Sequence, residues 1–424
     1  MTLRSQPASL DFTRLSPQIR RDVRKLCRLD NYHAPLAIAF DYATIAVAVY
    51  LCLGVSFWFY PVTLVLIGST QRALVNILHE SSHKVLARNG VLNVLLGTAF
   101  SGHLVFHVYN AYRSSHIGLH HRYLGDDDRD PDYAFHREIG IYDPAASNRA
   151  FLLRNLLLAV LGLRSVAYLR YVVQDRLLFR GDQVTVSMPI NLRLERCLLA
   201  AVWAAILVPC ALTGSWLYLL LFWVAPMLTT AVAVGWLSEL AEHYPLPESE
   251  TRQILMTRNR HGWLLERFLL GRHRDNYHLV HHLNTGVPFW NMKKAHQVLL
   301  GDAAYASWDG LWAGILTRGP GEQGRETVAS YAARYRDWRR AGGDPRAAGG
   351  SFAELAALRQ PAPEVPCQPA PEVLRQPAPE VLRQPCPPDP AARRQQAAFA
   401  PDAHVSPVAP AGPPARQGAP QPVR

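Results

Sequence analysis

Apolar residues occur along this chain in blocks that are too long for the core of a soluble domain. Residues 34–60 form a first block, interrupted near its start by Asp41, and residues 62–78 form a second block after Pro61. Each block is long enough to cross a hydrocarbon layer of about 30 Å as a helix. The proline marks a turn between them, so the pattern predicts an antiparallel pair of membrane spans.

Two further blocks predict a second pair of spans. Residues 198–212 and 216–240 are separated by a Thr-Gly-Ser turn at 213–215, and no Lys or Arg occurs from 197 to 251. A short polar turn between two uncharged apolar blocks is typical of a tight hairpin of membrane helices. Four spans place both ends of the chain on the same side of the membrane.

Two other apolar stretches are interrupted by polar side chains. Residues 91–109 contain His103 and His107, and we interpret this stretch as a re-entrant or interfacial segment, because the histidines that flank it can meet only on one side of the membrane. Residues 151–173 contain three arginines, which is typical of an amphipathic helix in the headgroup region. The predicted fold class is therefore an all-α integral membrane protein with about four transmembrane helices.

The charge distribution predicts the orientation of these spans. Seven Lys and Arg residues precede the first block, and the next one is Arg72, so the positive-inside rule places the N-terminus in the cytoplasm. The C-terminus and the end of the second block then lie there too. The net charge of +11 is also compatible with nucleic-acid binding, but its placement beside apolar blocks favours lipid headgroups, and we expect no nucleic-acid partner.

Composition divides the chain into three parts. Residues 1–33 are a basic cytoplasmic segment without a visible signal peptide, residues 34–340 form the membrane domain, and residues 341–424 are rich in Pro, Ala, Gln and Arg. In the last part the unit Gln-Pro-Ala-Pro-Glu-Val recurs every eight residues, which predicts a disordered tail. The six scattered cysteines contain no CxxC pair and are expected to be free thiols.

Candidate chemistry is concentrated in three histidine boxes. His79 and His83 frame box one, His-Glu-Ser-Ser-His, and a spacing of four on a helix places both imidazoles on one face. The same string is the zincin motif, in which Glu80 is the general base of a zinc protease. Box two, His-xxx-His-His, and box three, His-xx-His-His, consist of His116, His120 and His121 and of His278, His281 and His282.

Boxes two and three decide between the possible metal sites. A zinc protease needs three protein ligands and would leave these six histidines unused. With independent positions, both three-His patterns occur together in roughly one of a thousand such chains. Since imidazole suits iron, zinc and copper alike, a metal carrier or sensor without enzymatic activity is a third possibility.

The three boxes, in this order, resemble those of the membrane fatty-acid desaturase superfamily, which includes sphingolipid desaturases and alkane hydroxylases. The resemblance covers about residues 36–300 and includes the string His-His-Arg-Tyr-Leu-Gly-Asp and Ala-Glu-His-Tyr at 241–244. It implies a di-iron site in a cytoplasmic histidine-rich helical cap. The implied ligands are His79, His83, His116, His120, His121, His243, His278, His281 and His282.

The resemblance also implies an activity. The protein would be an oxidoreductase that desaturates the acyl chain of a lipid or fatty acid with O2 and two electrons. Box one is one residue shorter than the His-xxxx-His of some acyl-CoA desaturases, which makes acyl-CoA a weaker substrate candidate. A hydroxylase, or a desaturase of a small natural product, is the alternative on the same scaffold. No fused cytochrome b5 string or iron–sulfur cysteine cluster occurs, so we expect an external donor, either ferredoxin or a cytochrome b5-like protein with its reductase.

Other polar residues near the boxes have two interpretations each. His103 and His107 either pack in the interior or line a substrate route. His273 lies five residues before box three, and we expect it to support the box or lie on the surface rather than to be a metal ligand. The acidic run at 126–132 either orients box-two imidazoles or forms a solvated turn. Glu80, Glu239 and Glu242 either orient ligand histidines or simply lie on a helix face. The remaining histidines belong to no pattern: His33, His136, His261, His296 and His404.

Overall fold

The computed structural model describes residues 14–178, 186–250 and 252–344, and these residues form helices with a single isolated bridge between Trp312 and Glu326. The all-α prediction is thereby confirmed for this part of the chain. The predicted tail lies outside the described residues except for 341–344. The α-helices are α1 (Pro17–Lys25), α2 (His33–Tyr50), α3 (Tyr60–Ser82), α4 (Gly90–Gly97), α5 (Tyr109–Arg113), α6 (His121–Tyr123), α7 (Pro131–Glu138), α8 (Asn148–Leu152), α9 (Leu158–Val160), α10 (Ser165–Tyr171), α11 (Leu192–Thr213), α12 (Trp216–Leu219), α13 (Ala225–Leu228), α14 (Thr230–His243), α15 (Leu246–Ser249), α16 (Leu264–Leu270), α17 (His278–Leu283), α18 (Met292–Leu299), α19 (Ala303–Asp309) and α20 (Val328–Arg340).

Shorter helical segments extend or connect these helices. Wider, π-type turns lie at Leu51–Val55, Ser114–His120, Leu153–Leu157, Val172–Leu177 and Leu220–Val224. Tighter, 3-10 turns lie at Phe57–Phe59, Gly102–Val105, Gln253–Met256, Arg272–Tyr277 and Phe289–Asn291.

Four helical stretches are long and apolar enough to cross a membrane, and each contains most or all of one predicted apolar block. We number them span one to span four in chain order: His33–Val55, Phe57–Ser82, Leu192–Thr213 and Trp216–Ser249. Span three ends at Gly214, whose φ of +68° is left-handed and therefore favours glycine. The turn predicted between the last two spans is confirmed.

The two interrupted apolar stretches fold as sharply bent helix pairs. Gly90–Val105 and Tyr109–Tyr123 meet at 97°, and Asn148–Val160 and Ser165–Leu177 meet at 81°. Such a bend is compatible with the re-entrant and interfacial segments predicted here, and equally with a broken span. The described residues thus supply four spans, or up to six if each bent pair crosses the membrane.

Helix α3 lies at the centre of the packing, in contact with α2, α4 and α14. It approaches α14 closely at Gly68, where an added Cβ would lie 2.6 Å from the backbone nitrogen of Ala231 and 2.2 Å from the Thr230 hydroxyl oxygen. Small residues at such positions allow membrane helices to pack closely. This contact sets the distance between spans two and four, and both spans carry predicted ligands at their later ends.

A buried ion pair joins span one to the segment that precedes box three. Asp41 is fully buried, and its carboxylate accepts a hydrogen bond from Arg272 Nη1 at 3.0 Å and lies 2.7 Å from His273 Nε2. A charge within a membrane span is costly unless it is paired. His273 and Arg274 have φ values of 56° and 62°, a left-handed conformation that surrounding contacts must hold in place.

The close helix contact gives a first prediction. Gly68→Ala should lower the melting temperature in detergent by several degrees, because overpacking a tight contact costs about 1–3 kcal/mol. Gly90→Ala is the matched control, since an added Cβ there meets no atom within 4 Å. Equal melting temperatures for the two variants would contradict a tight contact between α3 and α14.

Candidate metal centre

The structure brings all nine predicted histidines together in two groups. In each group, the ligand atoms of the members lie within 4.8 Å of one another. The first histidine group consists of His79, His83, His116, His121 and His281. The second histidine group consists of His120, His243, His278 and His282.

Helical geometry explains why boxes two and three are each divided between the groups. His278 and His282 lie four residues apart on α17 and therefore share a face. His281 and His282 are adjacent in sequence, so their side chains point about 100° apart around the helix. In box two, the π-type turn Ser114–His120 ends where α6 begins at His121. His120 and His121 consequently enter different groups, so these short helices bridge the two sites.

The nitrogen atoms are spaced as ligands around a metal ion would be. Two imidazole nitrogens bound at about 2.1 Å and at right angles lie roughly 3 Å apart. The Nε2 atoms of His79 and His83 are buried without a hydrogen-bond partner among the described residues. Pairs of Nε2 atoms lie 3.0–3.1 Å apart at His116–His121, His121–His281, His243–His278 and His278–His282. The donor set therefore fits one metal ion in each group.

Several ligands are oriented by an acceptor at their other ring nitrogen. His120 Nδ1 lies 3.0 Å from an oxygen of Asp130, and His243 Nδ1 lies 2.9 Å from the carbonyl oxygen of Met256. A proton held at Nδ1 leaves the Nε2 lone pair for a metal. His79 Nδ1 has a longer contact of 3.4 Å with Glu80.

Different residues of the acidic run after box two fill the two roles that the sequence predicted. Asp130 orients His120 and also caps α7, because its side chain accepts the backbone N–H groups of Asp132 and Tyr133. Asp126 instead pairs with Arg129 in an exposed turn. One residue orients a ligand and the other stabilises a solvated turn.

The zinc-protease interpretation of box one does not fit the position of Glu80. A general base in such an enzyme must face a metal-bound water. The Glu80 side chain is buried, and one of its oxygens accepts the backbone N–H of Phe289 at 2.9 Å. Its neighbours His79 and His83 share their group with three further imidazoles.

Burial keeps the box-three ligands in the form that binds metal. Removal from water, followed by the charge of neighbouring imidazoles, holds the pKa of His278, His281 and His282 well below its usual range. These side chains are neutral at physiological pH. A neutral imidazole has a free lone pair, so no proton needs to be displaced before a metal binds.

The remaining predicted histidines lie outside both groups. His103 is fully buried and lies 3.4 Å from Glu195, which is a packing role. His107 lines a cavity beside the ligands. His273 is buried against Asp41 and belongs to neither histidine group, so of its two expected positions the supporting one fits and the surface one does not.

A third group of potential ligands, His261, His296 and Asp309, was not predicted. Hydrogen bonds account for its geometry: Asp309 lies 3.0 Å from His261 Nε2, and the Tyr305 hydroxyl lies 2.8 Å from His296 Nδ1. The three residues come from separate segments without helical spacing, so no local pattern could have identified them.

A cavity, here called the charged cavity, opens against both histidine groups. It is bordered by ligands of the first group, such as His79, and of the second, such as His243. An apolar cavity adjoins it and shares Arg72 and Val75. The ionisable residues of the charged cavity other than His and Tyr are Arg72, Asp130, Asp132, Arg176, Glu239, Glu242 and Asp275.

Comparison with known proteins identifies two matches. Residues 18–312 match the family described as fatty acid desaturase. The chain is also 38% identical over 320 residues to the dihydrorhizobitoxine desaturase of Bradyrhizobium elkanii, an alignment that covers 75% of this chain and 89% of that protein. Together with four apolar helices, these matches indicate a membrane protein.

The division into two groups generates a prediction about metal content. His243→Ala and His120→Ala should lower bound metal to the same extent, because each removes one of four ligands from the second histidine group and even weaker perturbations cost roughly 10–100-fold in affinity. Bound metal is measured by mass spectrometry of the purified protein.

The control for this prediction is His33→Ala. The His33 imidazole is partly exposed and pairs with Asp30, so its loss should leave metal content unchanged. Full metal content in His243→Ala, with loss in His120→Ala, would mean that His243 is a neighbour and not a ligand.

Proposed function

Because the chain belongs to the fatty acid desaturase family, we propose that it is a membrane-bound di-iron oxygenase that introduces a double bond into its substrate. One O2, two electrons, two protons and two substrate hydrogens would yield the alkene and two waters. Two irons, one in each histidine group, would supply the oxidant for C–H bonds that are too weakly acidic for a side-chain base. The convergence of nine imidazoles on two positions supports this assignment.

The chain's own residues have three tasks in this reaction. The imidazoles hold the metals, and Asp130 and the Met256 carbonyl fix the orientation of His120 and His243. The charged cavity receives the substrate beside them. The surrounding helices would limit the access of bulk water, which prevents side reactions and unwanted proton transfer at the site.

The substrate of this desaturase is a small polar molecule. The observation that carries this conclusion is the lining of the charged cavity, in which seven side chains are carboxylates or guanidinium groups. An acyl chain placed there would cover Glu239, whose carboxylate has no hydrogen-bond partner among the described residues, and removing an unpaired carboxylate from water is costly. The matched relative is named for a desaturation of dihydrorhizobitoxine, and this name agrees with a substrate other than a fatty acyl chain.

A lipid acyl chain, the substrate expected from the family resemblance, is the second candidate. The adjoining apolar cavity favours it, because that cavity is lined by Val105, Leu169 and Val172 and meets the charged cavity at Val75. A larger apolar groove beside α16 has no histidine among its described lining residues. The acyl candidate therefore depends on the smaller apolar cavity.

The reaction needs electrons from outside this domain. We assign this task to a separate donor, ferredoxin or a cytochrome b5-like protein with its reductase. The basic residues ahead of span one support a cytoplasmic position of the N-terminus and, through four spans, of the C-terminus and the metal centre. A soluble donor would then reach the irons from the cytoplasm.

The proposed function predicts a specific product. Cells that express the chain should accumulate, in their water-soluble extract, a compound two hydrogens lighter than its precursor. Mass spectrometry of water-soluble and lipid extracts measures both candidates. The product should require O2 and should be absent with His120→Ala, because that variant lacks a metal ligand.

Other outcomes have distinct meanings. A lighter species in the lipid extract alone would establish the acyl substrate and refute the small polar one. A gain of one oxygen would identify a hydroxylase on the same scaffold. Product formation without O2 would contradict an oxygenase altogether.

A further inference from the structure

Glu239 differs from the other carboxylates of the charged cavity. It lies on α14, a quarter of its side chain is accessible, and it has no hydrogen-bond partner among the described residues. Among the described residues, the basic nitrogen within 4.0 Å of its carboxylate is His136 Nε2, at 3.8 Å. This distance is too long for a hydrogen bond.

The other carboxylates are already paired within the protein. Asp132 accepts a hydrogen bond from Arg176 at 2.6 Å, and Asp275 accepts one from Arg260 at 2.6 Å. Glu242 lies 3.5–3.6 Å from Arg72, Arg260 and His278. Asp130 contacts His120 and caps α7. Glu242 Oε1 has no hydrogen-bond partner in the described part of the chain, but two guanidinium groups lie within 4.0 Å of it. Glu239 is therefore the carboxylate of this cavity that has neither a hydrogen bond nor an arginine within 4.0 Å among the described residues.

The need to balance the charge of a bound metal does not explain why a carboxylate lies at position 239. Four other carboxylates lie beside ligand imidazoles, at 3.4 Å for Glu80, 3.0 Å for Asp130, 3.7 Å for Asp132 and 3.6 Å for Glu242. Glu239 lies within 4.0 Å of His136, which belongs to neither histidine group. A carboxylate in this position therefore serves something other than ligand orientation.

His136 offers a second unfilled position at the same place. It is 7% exposed, and its Nε2 atom is buried without a hydrogen-bond partner in the described part of the chain. Burial lowers the pKa of His136 to about 4, so the ring is neutral and can accept a hydrogen bond at an unprotonated nitrogen. Two polar groups thus face the charged cavity with a gap between them.

We propose that Glu239 and His136 form the binding subsite for a cationic nitrogen, and hence that the substrate is a small amine or amino acid. This inference rests on the proposed desaturase function. An ammonium group carries three donors and a positive charge, so it can bind the carboxylate and the imidazole nitrogen together. Glu239 and His243 lie four residues apart on α14 and share a helix face, which places a substrate anchored at Glu239 beside the second histidine group.

The test is a binding experiment on the purified, iron-loaded full chain in detergent. The probes are n-butylamine, which is cationic at pH 7, and 1-butanol and butanoate, which match its carbon chain without a positive charge. Calorimetry should show that butylammonium binds at least about tenfold more tightly than either control, because a close charge pair in a desolvated site is worth that much or more. Equal affinity of all three probes would overturn the proposal.

Two variants test whether Glu239 causes the preference for butylammonium. Glu239→Gln keeps the shape of the side chain and should remove the preference for butylammonium. Glu138→Gln, at an exposed carboxylate paired with Arg170, should retain it. A preference that survives in Glu239→Gln, as it would for an amine bound directly to iron, would also overturn the subsite. If Glu239→Gln does not fold, the comparison of probes on the unmodified chain still decides.

Iron content and product formation on the same preparations separate this inference from the proposed function. An amine preference without iron or desaturation would leave the subsite standing and refute the desaturase. Desaturation of an uncharged or lipid substrate, without an amine preference, would confirm the desaturase and overturn the subsite.

Discussion

The structure depends on crowding nine imidazoles together, with the Nε2 atoms of several pairs about 3 Å apart. Lone pairs at this distance repel one another unless a proton or a metal lies between them, so the rest of the fold must hold the side chains together until an ion binds. Spans two and four deliver His79 and His243 to the same end of the bundle. Gly68 sets their distance, and the ion pair of Asp41 with Arg272 anchors the segment before box three.

The carboxylates around the metal centre have two different roles. Asp130 orients the His120 ring through its Nδ1. Glu80 and Glu242 lie 3.4 and 3.6 Å from His79 and His278, where they would offset the charge of a bound metal. Glu239 faces the charged cavity without such a partner. This difference links the metal centre to the proposed choice of substrate, because the family fold fixes the oxidation chemistry whereas the cavity lining decides which molecule reaches it.

Features with a local sequence signal were predictable. Apolar blocks identified the four spans, and spacings of three and four on helices identified the boxes. The division of box two between the two histidine groups was not predictable, because it depends on the π-type turn that ends at His120. Nor was the pairing of Asp41 with Arg272, which are 231 residues apart, or the position of His136 opposite Glu239. Such contacts arise from tertiary packing and leave no periodic trace in the sequence.

The central claim is that two irons occupy two distinct histidine groups. Crystals of the iron-loaded chain, measured on both sides of the iron absorption edge, test it most directly. Two irons held in this way would give two anomalous peaks, one among His79, His83, His116, His121 and His281 and one among His120, His243, His278 and His282. A single peak held by His79 and His83 alone, or iron only at His261, His296 and Asp309, would contradict it.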